Sequence, residues 1–204
     1  MTVLGDLAQA TAPAAQDSWE AAIGHLGSPS VASIAELELG YRVPAPILDV
    51  ANRLLPSVAP EVRPSRSVRL VGPPPEIVAV TAEPDLGPAV ATVVRDLTGR
   101  WGSVGVITPA FLLEAITDGL GATGIDFGSG LETGPGAAVT VLAPPDAKGL
   151  EFDAVVVVEP GSFLAEVPGV DGAGGRLLYV ALTRAVQELV LVHADPLPGA
   201  LGLT

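Results

Sequence analysis

Five consecutive apolar residues, Ala154 to Val158, four of them valine, follow the loop Asp146-Ala147-Lys148-Gly149-Leu150-Glu151-Phe152-Asp153. Side chains branched at Cβ favour extended backbone, and a run without polar alternation leaves no face for water. Such a strand has to be buried on both sides, which a parallel sheet covered by helices provides. The chain before it repeats the same grammar. Ile77 to Val80 and Val104 to Ile107 read as strands. Leu86 to Leu97 reads as a helix with Val90, Val93, Val94 and Leu97 inward, and Pro109 opens another helix through Leu120. The expectation is an α/β fold of three layers, a mainly parallel sheet with helices on both faces.

Other elements carry weaker signals. Thr2 to Leu4 looks like the end of a strand running into Gly5-Asp6, and Ile34 to Leu39 and Val68 to Val71 like short strands. Asp17 to Leu26 has a helical pattern with Trp19, Ala22, Ile23 and Leu26 on one face, where a tryptophan is more often packed than stacked on a base. Pro44 and Pro46 suit a first helical turn, continued by Ile47, Val50, Ala51, Leu54 and Leu55. Arg42 then stands near a helix N-terminus, where backbone amides favour an anion. The plainer alternative pairs Arg42 with Glu36 or Glu38. Arg63, Arg66 and Arg69 form the one basic cluster and read as a solvated hairpin. Ala137 to Leu142 is expected as a strand, Arg176 to Gln187 as a helix burying Leu178, Ala181, Leu182 and Ala185, and Leu189 to Val192 as the last strand. Tyr179 reads as packed, His193 as a strand-end residue, and the tail from Pro196 as loose.

Charge and composition exclude several classes. Across 204 residues the formal charge is −13, so the chain does not by itself neutralise many phosphates, and any DNA contact is weak or shared. There is no cysteine, hence no disulfide or thiolate metal site, and the two histidines lie far apart in sequence. No apolar run approaches the roughly 18 residues that span a bilayer, so no membrane partner is expected and the cytoplasm is the default compartment. The chain contains no G-x-x-x-x-G-K-[ST] phosphate loop.

The loop before the valines has the parts of a nucleotide-facing strand edge: backbone freedom at Gly149 and polar reach at Lys148 and Glu151. Lys148 is the sole lysine among ten basic residues. A solvated lysine and a sheet-edge carboxylate are the ordinary readings of these residues taken singly. Three further segments change the weighting: Gly5-Asp6-Leu7-Ala8-Gln9, Gly40-Tyr41-Arg42-Val43-Pro44 and Arg176-Leu177-Leu178-Tyr179-Val180-Ala181-Leu182-Thr183-Arg184-Ala185. Together with the loop they resemble, in order and wording, motifs III to VI of superfamily 1 helicases of the UvrD/Rep type, closest to the HelD-like RNA polymerase-associated branch.

That resemblance implies a RecA-like fold of the P-loop NTPase type. Residues 1–30 would be the end of a first RecA-like domain, 31–195 a second, C-terminal one, and 196–204 a tail. It implies ATP hydrolysis shared with an upstream RecA-like domain that supplies the phosphate loop and the ligands of Mg2+. Arg42 and Arg184 would act on the terminal phosphate, Gln9 would sense it, and Lys148, Gly149 and Glu151 would face the nucleotide. Trp19 would be the nucleic-acid contact. The family's threonine and histidine before the lysine are replaced by Ala143 and Pro145, and Asp146 adds a negative charge where a strand would pass. The space between Arg42 and Lys148 does not admit a large accessory domain, which fits the branch that acts on RNA polymerase. A non-enzymatic RecA-like module that binds a protein partner is the competing expectation.

Overall fold

The structure, a computed structural model, describes residues 2–12, 14–16, 18–26, 33–130, 137–165 and 172–203. Its strands are β1 (Leu39–Gly40), β2 (Arg66–Ser67), β3 (Glu76–Ala79), β4 (Val104–Ile107), β5 (Gly128–Ser129), β6 (Val139–Leu142), β7 (Phe152–Val158) and β8 (Ala185–His193). Its helices are α1 (Trp19–His25), α2 (Ala45–Asn52), α3 (Leu55–Val58), α4 (Leu86–Thr98), α5 (Leu113–Ala122) and α6 (Ala173–Leu182). Six strands form one sheet in the order β3-β8-β7-β4-β6-β5, and every pairing in it is parallel. β1 and β2 make a separate parallel pair.

The valine run behaves as its composition requires. Val155 and Val157 point into one core with Ile107, Leu142, Leu189 and Leu191, against α2, α3 and α6. Ala154, Val156 and Val158 point into the other with Val106, Val141, Val190 and Val192, against α4 and α5. Successive side chains of a strand face opposite sides, so a central strand flanked by two helical layers must be apolar at every position. Fully burying each valine is worth roughly 1.5–3 kcal/mol as an upper estimate.

The helices on the second face meet at glycine. A Cβ on Gly119 of α5 would stand 2.6 Å from the carbonyl carbon of Gly87 in α4, so the two backbones are in direct contact. α4 buries Leu86, Val90, Ala91, Val94 and Leu97 at helical spacing. Val93, expected inward, is only partly buried at its edge.

Several expectations are corrected. Residues 2–4 and 33–38 are irregular and exposed rather than strands, and the short parallel pair involves Arg66 and Ser67 instead of Val68 to Val71. Val68, Leu70 and Val71 are 56%, 76% and 89% exposed, and the pairing ends with the bond from Val68 N to Gly40 O. α1 has no fully buried residue; Trp19 is half-buried with its ring over Gly5, which supports packing. Asp17, the expected start of that helix, lies outside the described residues, as do 131–136 in the glycine-rich segment and 166–171 in the crossover after β7. The helix expected over Arg176 to Gln187 ends at Leu182, and β8 begins at Ala185. Thr183 closes the last turn by donating Oγ1 to the carbonyls of Tyr179 and Val180. Ala185 satisfies the helical repeat but pairs with Phe152 in the sheet. The tail is docked: Leu201 is fully buried, and Arg53 donates to the carbonyls of Leu201 and Gly202.

Candidate functional site

Parallel pairing decides where the site forms. Phe152 and Ala185 are partners at the starts of β7 and β8, and the amide of Phe152 donates to the carbonyl of Arg184 at 3.0 Å. The residues preceding the two strands, Glu151 and Arg184, are thereby delivered to one edge of the sheet. Gly149, with φ of 84°, makes the turn into β7 in a backbone region that suits glycine. The turn Leu7–Gln9 packs on α6 and adds Gln9 to the same edge, while the loop before α2 adds Tyr41 and Arg42. Gln9, Tyr41, Arg42 and Glu151 border an open cavity of about 680 Å³, and Arg184 lies behind Gln9 and Thr183 of its wall. The cavity wall includes Asp6, Gln9, Tyr41, Arg42, Arg69 and Glu151.

Arg184 is 2% exposed, and its guanidinium is surrounded by neutral acceptors. Nε donates to Val180 O at 3.0 Å, Nη1 to Leu150 O at 3.1 Å, and Nη2 to Thr183 Oγ1 at 3.2 Å and Gln9 Oε1 at 3.5 Å. Among the described residues no carboxylate pairs with it. Burial, and then the neighbouring Arg42, lower its pKa to about 10, which Asp6, Tyr179 and Glu151 offset only in part. It is still a cation at neutral pH, desolvated and, among the described residues, without a carboxylate within ion-pair distance. The Tyr179 hydroxyl nearby is pushed up to about 12, mainly by burial and then by Asp6.

Arg42 meets Glu151 through Nη1 and Oε2 at 3.1 Å, both side chains being partly exposed, and its Nε is buried without an acceptor. Glu36 and Glu38 pair with Arg63 instead, at 3.5 and 3.6 Å. The expected helix N-terminal anion site is not present. Pro44 and Pro46 have no amide hydrogen, the amide of Ala45 is taken by Arg69 O, and those of Ile47 and Leu48 by Pro44 O. Any anion held there is held by side chains.

Gln9 is fixed at both ends. Its Nε2 donates to Asp6 Oδ2 at 2.8 Å, which turns Oε1 toward Arg184. Lys148, expected on the nucleotide, donates Nζ to the backbone carbonyl of Gln9 at 2.8 Å and anchors that turn to the loop. Of the expected site residues Gln9, Arg42 and Glu151 line the cavity, whereas Arg184, Lys148, Gly149 and Trp19 do not. Tyr41, 81% exposed at the rim, presents a ring on which a planar group could stack. Asp6, Tyr41 and Arg69 were not singled out as site residues by the sequence. The spacing of Asp6 three residues before Gln9 is a local signal that could have found it; nothing local marks Arg69.

The carboxylates at the cavity do not suit a magnesium ion. Asp6 already accepts from Ala8 N and Gln9 Nε2, Glu151 is paired with Arg42, and no group of three His, Cys, Asp or Glu gathers among the described residues. No described helix is long and apolar enough to cross a membrane.

No family model matches the sequence. The chain is 40% identical over 73 residues to DNA helicase II of Rickettsia typhi, a stretch that is 32% of this chain and 11% of the relative. The chain therefore spans about a tenth of the length of that curated relative. Among solved structures it is similar to the C-terminal domain of a "possible DNA helicase" from Lactobacillus plantarum WCFS1, with a TM-score of 0.57 and 26% identity, over 79% of this chain and 92% of that one. A parallel α/β sheet, a cavity walled by arginines and these two likenesses agree: the chain is similar in sequence to part of a DNA helicase and in fold to a helicase C-terminal domain.

Proposed function

We propose that this chain is the C-terminal motor half of an ATP-dependent DNA helicase-like protein. Arg42 and Arg184 face the terminal phosphate of an ATP held by a first RecA-like domain, and Gln9 reports its state. The observation that carries the reading is the buried guanidinium of Arg184, which bonds to Gln9 and Thr183 of the cavity wall and, among the described residues, pairs with no carboxylate. A desolvated cation surrounded by carbonyl and hydroxyl oxygens keeps most of its charge for whatever anion arrives.

Closure of a first domain would bring the phosphate to this edge. Arg42 would exchange Glu151 for a phosphate oxygen, and Arg184 would stabilise the charge that develops on the transferred phosphoryl group. Gln9, held by Asp6, would move with Arg184 because their side chains touch. Opening after hydrolysis would restore the Arg42–Glu151 pair, and the alternation is the mechanical step. Glu151 and the ring of Tyr41 are the groups placed to meet the nucleoside end. The ligands of Mg2+ come from the first domain in this reading. DNA contacts are shared with that domain, since this chain carries −13. The sequence between Arg42 and Lys148 is too short for a large accessory domain, which supports the branch that remodels RNA polymerase.

A second reading, a non-enzymatic module that docks on a protein partner, is favoured by the exposed apolar side chains of Leu37, Leu39, Leu70 and Val71. Calorimetric titration of Mg-ATP into the isolated chain tests the half-site directly. We expect no saturable binding at micromolar ATP, since neither a phosphate loop nor a magnesium site is present in the sequence and described residues. Saturable micromolar binding would mean a complete site within the chain or its dimer, against the proposal.

A further inference from the structure

We infer that Arg69 is a positioning residue that sets the distance between Arg42 and Arg184; the inference rests on the reading of those two arginines as phosphate-facing groups. Arg69 comes from the irregular segment after β2, the stretch whose composition suggested a solvated hairpin. Its side chain is instead partly buried against the cavity wall. Nη1 donates both to the carbonyl of Arg42 and to that of Val186, and Nη2 donates to Gln187 Oε1 at 2.6 Å. Val186 and Gln187 follow Arg184 by two and three residues at the start of β8. One planar group thus holds the backbone at one phosphate-facing arginine and the backbone next to the other, across separations of 27 and 117 residues.

The surrounding bonds give that link its stiffness. Arg69 O accepts from Ala45 N at 2.9 Å, Arg69 N donates to Ser67 Oγ at 3.0 Å, and Ser67 Oγ donates to Val43 O at 2.6 Å. The loop Arg42–Ala45 is therefore gripped from both sides by Ser67 and Arg69. The ladder that continues from it cannot do this, because the β1–β2 pair is two residues long and lies outside the main sheet. Among the described residues, the bonds through Arg69 are the ones by which this segment ties the Arg42 loop to β8. Among the described residues no carboxylate pairs with Arg69, so its fork is committed to neutral acceptors. A lysine would keep the charge but replace a rigid fork by a point donor on a flexible stem.

Displacements of about 1 Å at a catalytic group cost on the order of 100-fold in rate. A double-mutant cycle on Mg-ATP turnover by the intact protein tests the link, with Arg69→Lys and Arg42→Ala made singly and together and thermal unfolding followed in parallel. We expect Arg69→Lys to lower kcat/KM by roughly 10-fold or more, chiefly through kcat, and to cause less than about a twofold further loss once Arg42 is alanine. Gln187→Ala removes a single acceptor and little packing, and it should show a smaller loss with the same dependence on Arg42. An equal loss from Arg69→Lys in both backgrounds, or no loss from either variant, would overturn the inference. Unchanged turnover in Arg42→Ala alone would overturn it differently, by removing the phosphate reading on which it rests.

Discussion

The guanidinium of Arg184 stands 3.5 Å from the side-chain carbonyl of Gln9, across 175 residues of sequence. Their meeting depends on two packing events: the pairing of β7 with β8, which carries Arg184 to the sheet edge, and the docking of the Leu7–Gln9 turn on α6. Asp6 completes the arrangement by holding the amide end of Gln9, so the oxygen faces the cation.

That orientation is itself testable. Asp6→Asn keeps the shape but can present a donor to the Gln9 amide, so Gln9 is released or turned. We expect Asp6→Asn to lower Mg-ATP turnover by the intact protein about 10-fold or more, at a stability within about 1 kcal/mol of the parent. Unaltered turnover would show that the orientation of Gln9 is immaterial.

The burial of Tyr179 predicts an alkaline signature. Its pKa is raised to about 12 from 10.0, so between these values the folded chain binds more protons than the unfolded one. Stability from this group is complete below pH 10 and declines as pH rises toward 12. In absorbance titration, the difference between the parent and Tyr179→Phe should show a phenolate forming near pH 12. A difference centred near pH 10 would mean the hydroxyl is solvated.

Contact between α4 and α5 leaves no room for a methyl group at Gly119. Gly119→Ala should destabilise the chain by about 1–3 kcal/mol in denaturant unfolding, because the helices must separate or Gly87 must shift. Stability equal to or above the parent would contradict the packing, since alanine is the better helix former.

The docked tail gives a further expectation. Leu201 is fully buried in the core that holds α2 and α3, and Leu201→Ala should cost about 2–4 kcal/mol. A cost under about 0.5 kcal/mol would match the loose tail that the sequence suggests.

How much was legible follows from where each signal resides. The central strands are set by local composition, and Val104 to Ile107 and the valine run fall where the sequence places them. α4 carries clear apolar periodicity and is also found as expected, whereas the helix expected from Pro44 through Leu55 stops at Asn52 and Leu55 opens α3. The end of α6 was not legible, because Ala185 satisfies a helical repeat and a strand pairing equally, and only the neighbour Phe152 decides. The short apolar stretch Val68 to Val71 looks like a strand, but beyond the bond from Val68 N to Gly40 O no ladder runs along it among the described residues, and strand formation is a property of pairs. At the site, Gln9, Arg42, Glu151 and Arg184 carried signals in their own motifs, and the structure brings them to one edge. Lys148 also stands out in the sequence, yet its ammonium is used on the Gln9 carbonyl. Arg69 was hidden, since its acceptors are backbone and amide oxygens from distant segments.

The buried Arg184, paired with no carboxylate among the described residues, is the centre of the account, and its replacement by alanine in the intact protein tests it most directly. Alanine at this position removes a desolvated charge together with its bonds to Val180 O and Leu150 O, so thermal unfolding accompanies the assay and turnover is compared on the folded protein. Mg-ATP turnover should fall by about 1,000-fold or more, as expected for loss of a group that stabilises the phosphoryl-transfer transition state. Turnover within a few-fold of the parent in a folded Arg184→Ala protein would contradict the account.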